Sequence, residues 1–376
     1  MATIEREERV TPLELFFDLV FVFAITQVTS MLSSDPTWSG AGRALLVLGA
    51  IWWAWTGYAW LTNTVNPDEG AVRLAILGAM AALFVVALAV PNAFGGDAVL
   101  FGVAYLSVRA LHIALFALAA RGDRELLGSV LRLAIGSTIG PGLIIIAGFT
   151  DGAAQASLWT VALILDYLGG AFSGGGWRVS PRHFAERHGL IIIIALGESV
   201  VAIGIGARGL PLDAAEIAAA LLSIAAVTAL WWAYFDVVAL VAERKLTELS
   251  GVAQASLARD TYSYLHLPMV AGIVLFALGL KQSLGHLGEV LDTVPAVALC
   301  AGPAMYLFAQ DAMRFRTSRT YNWRRVLAVG LLLSLIPIAF SVAALGALAG
   351  VTGICWAFLL WEALRYPETR SEIRHA

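Results

Sequence analysis

The sequence predicts an all-α polytopic membrane protein with about twelve transmembrane helices, arranged as two parallel six-helix repeats. Three observations lead to this fold class. Of the 376 residues, 59% are hydrophobic and only 14% are charged, which is far more apolar than a soluble domain of this length requires. Apolar stretches of membrane-spanning length recur along the whole chain. Basic residues concentrate in every second connection between these stretches.

Apolar stretches of about 20 residues define twelve candidate helices. The first stretch has no cleavage site with small residues, so it predicts a retained helix and not a signal peptide. The predicted bounds are 12–32, 42–62, 71–91, 97–119, 126–149, 153–173, 184–207, 213–242, 260–281, 292–313, 324–346 and 348–364.

The basic connections predict the orientation, because arginine and lysine are retained on the cytoplasmic side. They follow the fourth, sixth, eighth, tenth and last stretches, which predicts an even number of helices with both termini in the cytoplasm of a bacterial inner membrane. Their residues are Arg121, Arg124, Arg178, Arg182, Arg244, Lys245, Arg314, Arg316, Arg319, Arg324, Arg325, Arg365, Arg370 and Arg374.

Three pairs of matching features predict an internal repeat. A cap-then-proline start, an aromatic run and a proline within a span occur in the same order in each half of the chain. The pairs are Thr11-Pro12 with Ser180-Pro181, Trp52–Trp55 with Trp231–Tyr234, and Pro141 with Pro337. We expect one membrane domain of two halves, 1–174 and 175–376, with the same polarity because each has six helices. Gly140-Pro141-Gly142 predicts a helix break.

Glu198 is the most unusual residue of the seventh stretch. A helix that begins at Pro181 after the Ser180 cap carries Glu198 roughly 25 Å along its axis, near mid-bilayer or somewhat beyond. A carboxylate there is costly unless it is protonated, paired or beside a wet cavity. Glu198 is therefore a candidate pathway residue, with a structural carboxylate paired to Arg109 or His266 as the alternative.

Asp18 and Arg109 are the next candidates. Glu14 fits a capping box with Thr11, whereas Asp18 lies one turn further in, where no cap can use it. Arg109 and His112 are three residues apart and share a helix face, so Arg109 is a candidate countercharge for a carboxylate. Simple interfacial solvation of Asp18 and packing of His112 are the alternatives.

Further ionisable residues lie within other spans, and two interpretations stay open for the set. Buried acids, imidazoles and tyrosines are typical of proton relays and ion sites. They also serve as interhelical hydrogen bonds that hold a bundle together. The remaining pathway candidates are Asp236, His266 and Asp311.

A charged cluster precedes the apolar part of the seventh stretch. It comprises Arg182, His183, Glu186, Arg187 and His188. The two histidines are five residues apart, and helical metal ligands need a spacing of three or four, so no metal site is predicted. A charged cluster at the cytoplasmic membrane surface and a gating or proton-access role are the interpretations.

Little in the sequence points to catalysis. Cys300 and Cys355 lie inside apolar stretches and predict neither a disulfide framework nor a thiolate metal site. We expect no cofactor, no nucleic-acid partner and no enzymatic activity. The expected partners are the lipid bilayer and a small solute or ion, and self-association into a homo-oligomer stays open.

Three segments resemble a known family. ELFFDLVFVFAIT at 14–26, HFAERHGLIIIIALGES at 183–199 and YSYLHLPMVAGI at 262–273 are similar to the bacterial low-temperature-requirement A (LtrA) membrane proteins, and the likeness covers essentially the whole chain. The resemblance implies an integral membrane protein linked by name to growth in the cold. Phe17-Asp18 is also similar to the Phe-Ser-Asp motif of a family of six-helix-repeat potassium channels, with Phe17 in place of the serine.

The sequence therefore predicts a transporter of a small solute or ion, with protons as a candidate coupling ion. Asp18 and Glu198 are the candidate carboxylates, Arg109 is a countercharge, and His112 and His266 are proton acceptors or hydrogen-bond partners. An ion channel is the nearest alternative, and a membrane-embedded enzyme or a sensor is the alternative from another class.

Overall fold

The computed structural model describes residues 9–174, 176–209 and 213–365, and within them the chain is helical. The tail arginines Arg370 and Arg374 lie outside these residues. The helices are α1 Pro12–Ser34, α2 Trp38–Leu61, α3 Gly70–Ala89, α4 Ala98–Ala119, α5 Arg124–Ala147, α6 Gly152–Ala171, α7 Pro181–Gly206, α8 Ala214–Phe235, α9 Val238–Thr247, α10 Gly251–Ala258, α11 His266–Gly285, α12 Thr293–Ser318, α13 Trp323–Ser334, α14 Ile336–Ala339 and α15 Ala344–Arg365. A 3-10 turn at Val90–Asn92 follows α3, and a π-helix at Arg259–Tyr264 joins α10 to α11.

Helix starts follow the local sequence. The amide of Thr11 donates to the Glu14 carboxylate and the amide of Glu14 donates to the Thr11 hydroxyl, so the predicted capping box begins α1. The side chains of Asp123 and Asp213 accept backbone N–H bonds at the starts of α5 and α8. Asn322 does the same for α13. Each cap satisfies an amide that the helix cannot satisfy itself.

Ten helical stretches in the described part of the chain are long and apolar enough to cross a membrane, so the protein is multi-pass. Helices occur in all twelve predicted stretches, but the count of twelve is not confirmed. In α6, Gln155 and Asp166 lower the mean hydropathy. The eleventh stretch is divided into α13 and α14 at Leu335, two residues before Pro337.

Large apolar side chains face outward along the helices. Leu19, Leu74 and Leu131 are 60%, 69% and 60% exposed, whereas charged side chains such as Asp18 and Arg109 are buried. In water this distribution would leave apolar surface unprotected and charges desolvated. It is the distribution expected when lipid surrounds the helices.

The predicted break at Gly140-Pro141-Gly142 is wrong. Pro141 lies inside the continuous helix α5. The glycines instead let α5 approach α6, because a Cβ on Gly140 would lie 2.9 Å from the carbonyl oxygen of Ala162, and one on Gly136 would lie 2.8 Å from that of Leu165. Small residues permit such close contact between helices in membranes.

The chain packs as two compact units. Among the described residues, the first unit contains 9–31, 39–174, 176–188 and 246–259, and the second contains 32–38, 189–209, 213–245 and 260–365. In the first unit α3, α4, α5 and α6 pack in sequence, and in the second α12 packs on α11 and α13 while α8 packs on α15. The division of the chain at residue 174 into two repeats stays a prediction.

Candidate functional site

The first unit holds a buried group of four ionisable side chains, which we call the α1/α7 charge group: Glu14, Asp18, His183 and Arg187. The two acids are one turn apart on α1 and the two bases are one turn apart on α7, so each pair projects from one helix face. The side chains of Glu14, Asp18 and Arg187 are 1–2% exposed and that of His183 is 8% exposed.

Both oxygens of Glu14 are occupied. Arg187 Nη1 donates to Oε1 at 2.8 Å. The amide and hydroxyl of Thr11 donate to Oε2 at 2.8 and 3.0 Å, and His183 Nε2 lies 3.1 Å from the same oxygen. Glu14 therefore serves the capping box and the charge group together.

Asp18 is satisfied on one side only. Its Oδ1 accepts from Arg187 Nη2 and from Trp55 Nε1, both at 2.8 Å. Its Oδ2 is buried without a hydrogen-bond partner among the described residues. Buried polar atoms are normally paired, so this oxygen requires an explanation.

Aromatic rings enclose the group. The Arg187 guanidinium lies 5.6 Å from the centroid of the Trp55 ring, and His188 meets the same ring edge-on at 5.0 Å. The Thr62 hydroxyl accepts a further bond from Arg187 at 3.3 Å. The group is thus buried beside aromatic rings, and electrostatic interactions are stronger in such an environment than in water.

The α1/α7 charge group contains two acids and only one arginine. Glu14 and Asp18 supply two negative charges and Arg187 supplies one positive charge. With a neutral His183 the group is singly negative, and one added proton makes it neutral.

A second buried group in the same unit is centred on Arg109 of α4. Its guanidinium forms an ion pair with Asp166 of α6 at 2.9 Å and donates to the hydroxyl of Ser137 on α5 and to the Trp53 carbonyl at 3.4 Å. Tyr105 donates to the other oxygen of Asp166 at 3.0 Å. Arg109 is therefore a countercharge, as predicted, and its partner is Asp166.

His112 lies one turn from Arg109 on α4 and is 1% exposed. Neither ring nitrogen has a hydrogen-bond partner among the described residues. A Cβ on Gly57 would lie 2.9 Å from the imidazole and 3.1 Å from the Arg109 guanidinium. The absence of a side chain at Gly57 of α2 therefore leaves space for His112 and Arg109.

The comparisons with known proteins agree with this membrane architecture. Residues 9–360 match the family described as bacterial low temperature requirement A protein (LtrA). The chain belongs to the LtrA family. It is 31% identical to an uncharacterized protein of Rhizobium meliloti (strain 1021), over 94% of this chain and 90% of that protein. No solved structure matches the chain.

The predicted charged cluster at the start of α7 is divided by the helix. Arg182 and Glu186 are exposed, whereas His183, Arg187 and His188 are buried. His183, Arg187 and His188 therefore lie in the interior of the protein and not on a charged surface. Their signal in the sequence was the shared spacing of four between Glu14 and Asp18 and between His183 and Arg187.

The remaining predicted pathway residues lie in the second unit. Glu198 is buried on α7, and Asp236 is half-buried at the end of α8. His266 donates from Nδ1 to the Thr261 carbonyl at 2.9 Å and accepts from the Tyr234 hydroxyl at Nε2, 2.8 Å away. Asp311 of α12 accepts a hydrogen bond from the backbone amide of Asn322 at 2.8 Å. Its carboxylate therefore lies next to the start of α13.

Sequence reasoning gave no role to Arg325 beyond its contribution to a basic connection. It is 6% exposed and donates to the Gln310 side chain at 2.7 Å and to the Ala233 carbonyl at 3.4 Å. Glu362 of α15 lies 3.8 Å from its guanidinium. No group of three or more metal-binding side chains occurs among the residues that the structure describes.

Proposed function

We propose that this LtrA-family protein moves a small solute or ion across the bacterial inner membrane. The α1/α7 charge group carries the proposal, because it places four ionisable side chains inside apolar helices and leaves Asp18 Oδ2 unpaired. A carboxylate that only holds helices together is expected to have both oxygens paired, as those of Asp166 are. Ionisable groups within membrane helices are typical of ion and proton pathways.

The group around Arg109 favours a different role. Arg109 and Asp166 are joined directly, and Ser137 and Tyr105 bind the same carboxylate. We propose that this group braces α4, α5 and α6 while the α1/α7 charge group exchanges charge. In this proposal the lipid bilayer surrounds the helices, and transport requires no catalytic step.

Two contacts within the α1/α7 charge group also support the proposed six-helix repeat. Glu14 with His183 and Asp18 with Arg187 each join residues 169 positions apart. Thr11-Pro12 and Ser180-Pro181 have the same separation. Each pair therefore joins equivalent positions of α1 and α7, as happens at an interface with two-fold symmetry.

Arg109 and Arg325, two of the buried arginines, also have similar partners. Arg109 binds a carbonyl in the aromatic run of α2 and an acid on α6, the sixth predicted span. Arg325 binds a carbonyl in the aromatic run of α8 and approaches an acid on α15, the twelfth predicted span. Arg109 lies in the fourth predicted span and Arg325 in the eleventh, so the likeness concerns their partners and not equivalent positions of the two halves.

The proposal can be tested by measuring ion flux across the membrane of liposomes that contain the protein. We expect purified protein to raise the flux of protons, potassium or sodium above that of empty liposomes under an imposed gradient. Asp18→Asn should reduce this flux at least tenfold, because it removes the ionisable group whose Oδ2 is unpaired. Glu198→Gln should alter the pH dependence of the flux if Glu198 titrates in the pathway.

Asp123→Asn is the control for these variants, because Asp123 is partly exposed and pairs with the exposed Arg178. Its flux should equal that of the unmodified protein. Flux at the level of empty liposomes with every ion, or full flux through Asp18→Asn, would contradict the proposal.

A further inference from the structure

The oxygens of the α1/α7 charge group differ in how many donors they hold. A carboxylate offers about four acceptor positions. In Glu14 these receive Arg187, the Thr11 amide, the Thr11 hydroxyl and His183. In Asp18, Oδ1 receives two donors and Oδ2 receives none from the described residues. Asp18 Oδ2 is thus the position left for an additional donor.

The charge of the group indicates what this position binds. One positive charge is missing when His183 is neutral, and an uncompensated charge in a low-dielectric interior is costly. Hard metal cations prefer about six oxygen ligands. Asp18 offers one unoccupied oxygen, and the Arg187 guanidinium 2.8 Å from its Oδ1 repels a cation. A proton needs only the one oxygen.

We infer that Asp18 reversibly binds one proton at Oδ2 and couples this proton to the proposed transport. The coupling part of the inference rests on the proposed function. When the proton binds, an O–H bond forms on Oδ2 and the group becomes neutral; on release the proton passes to water. The charged and titratable groups facing Asp18 are Glu14 from α1 and Arg187 from α7, with His183 behind them and Trp55 as the donor from α2.

Access for the proton is from the side of His183. Its side chain is 8% exposed, compared with 1% or 2% for the other three members of the group. Its Nε2 is in contact with Glu14, which shares Arg187 with Asp18.

Infrared difference spectroscopy of the protein in liposomes tests the inference directly. A protonated carboxylic acid has a carbonyl band that shifts in heavy water and disappears on ionisation. We expect such a band to titrate in the unmodified protein, to be lost in Asp18→Asn and to remain in Asp166→Asn. Asp166 is the matched control, since it is also 1% exposed and paired with arginine, but both its oxygens accept hydrogen bonds.

Trp55→Phe keeps the test decisive if Asp18→Asn fails to fold. It removes one of the two donors to Oδ1, so the protonated band should persist to a pH about one unit higher. Trp159→Phe is the control, because Trp159 is equally buried and packs on Phe94 and Phe101. An unchanged band in both Asp18→Asn and Trp55→Phe, or no titrating band at all, would overturn the inference.

The two experiments separate the site from the transport. A titrating band that depends on Asp18 in a protein without flux would uphold the proton site and reject transport. Flux without an Asp18-dependent band would reject the proton site and uphold transport.

Discussion

Burial distinguishes two arginine–aspartate pairs that have the same geometry. Arg109 with Asp166 and Arg178 with Asp123 both have a nitrogen–oxygen distance of 2.9 Å. The first pair is 1% exposed on both sides, whereas Arg178 is 78% exposed. Water and salt screen the second pair, so only the first affects stability strongly when it is broken.

Arg109→Ala should therefore lower the free energy of unfolding by about 3–5 kcal/mol, because it leaves Asp166 buried without its countercharge. Arg178→Ala should change it by about 1 kcal/mol or less. Thermal unfolding of both variants in the same detergent measures the difference.

Neutralising the partner completes this test. Asp166→Asn in the Arg109→Ala background removes the orphaned charge, so the double variant should recover part of the lost stability. A double variant less stable than Arg109→Ala alone would show that the charge of Asp166 is not the source of the loss.

At the residue scale, the burial of ionisable side chains such as Asp18 was easier to predict from the sequence than the identity of their partners. Asp18 stood out because it lies beyond the reach of the helix cap, and it is buried. Its partner Arg187 was interpreted as part of a surface cluster, since contacts between residues 169 positions apart leave no periodic signal in one sequence. Glu14 served as a cap, as predicted, and also binds α7.

At the scale of elements, α7 illustrates how helical periodicity divides a charged segment. Arg182 and Glu186 are four residues apart and both exposed, whereas His183 and Arg187, one position later, are both buried. A window average treats all of them as one polar cluster. Their spacing of four separates two faces of the helix.

The contact between α11 and α12 in the second unit depends on glycine. A Cβ on Gly279 would lie 2.5 Å from Leu299 Cα, and one on Gly272 would lie 2.6 Å from the carbonyl oxygen of Gly302. These neighbours are backbone atoms, which cannot move without separating the two helices. Close approach through small residues is a common way for membrane helices to associate.

Gly279→Ala should therefore destabilise the protein by about 1–3 kcal/mol or more, the usual effect of overpacking. Gly197→Ala on α7 is the control, because its Cβ would have no described heavy atom within 4 Å apart from its own helix backbone and chain neighbours. The two melting temperatures in detergent decide: equal values for Gly279→Ala and Gly197→Ala would mean that α11 and α12 are not held this closely.

The helices themselves were predictable, because apolar length is a strong signal. Proline was a weaker guide. Pro141 and Pro303 remain inside continuous helices, whereas Pro337 lies where α13 gives way to α14. Whether a proline interrupts a helix depends on the neighbours that accept the freed carbonyl, and one sequence does not reveal them.

For the whole molecule, the number of crossings is decided by α6 and by the α13–α14 segment. Both ten and twelve are even, so locating the termini on one side of the membrane does not distinguish these counts. The ends of each segment do distinguish them, because a helix that crosses places its ends on opposite sides. The basic connections predict that Arg178 and Thr320 face the cytoplasm.

Single cysteines at these ends test the count, in a background in which the buried Cys300 and Cys355 are replaced by alanine. We expect cysteines at Asp151 and Ser341 to react with an impermeant maleimide in spheroplasts with an intact inner membrane, and cysteines at Arg178 and Thr320 to react only after that membrane is permeabilised. Asp151 and Arg178 reporting the same side would mean that α6 does not cross. The alternation of basic connections would then reverse after α6, and α7 would enter the membrane with the same polarity as α6 was predicted to have, so the two halves would no longer be parallel repeats.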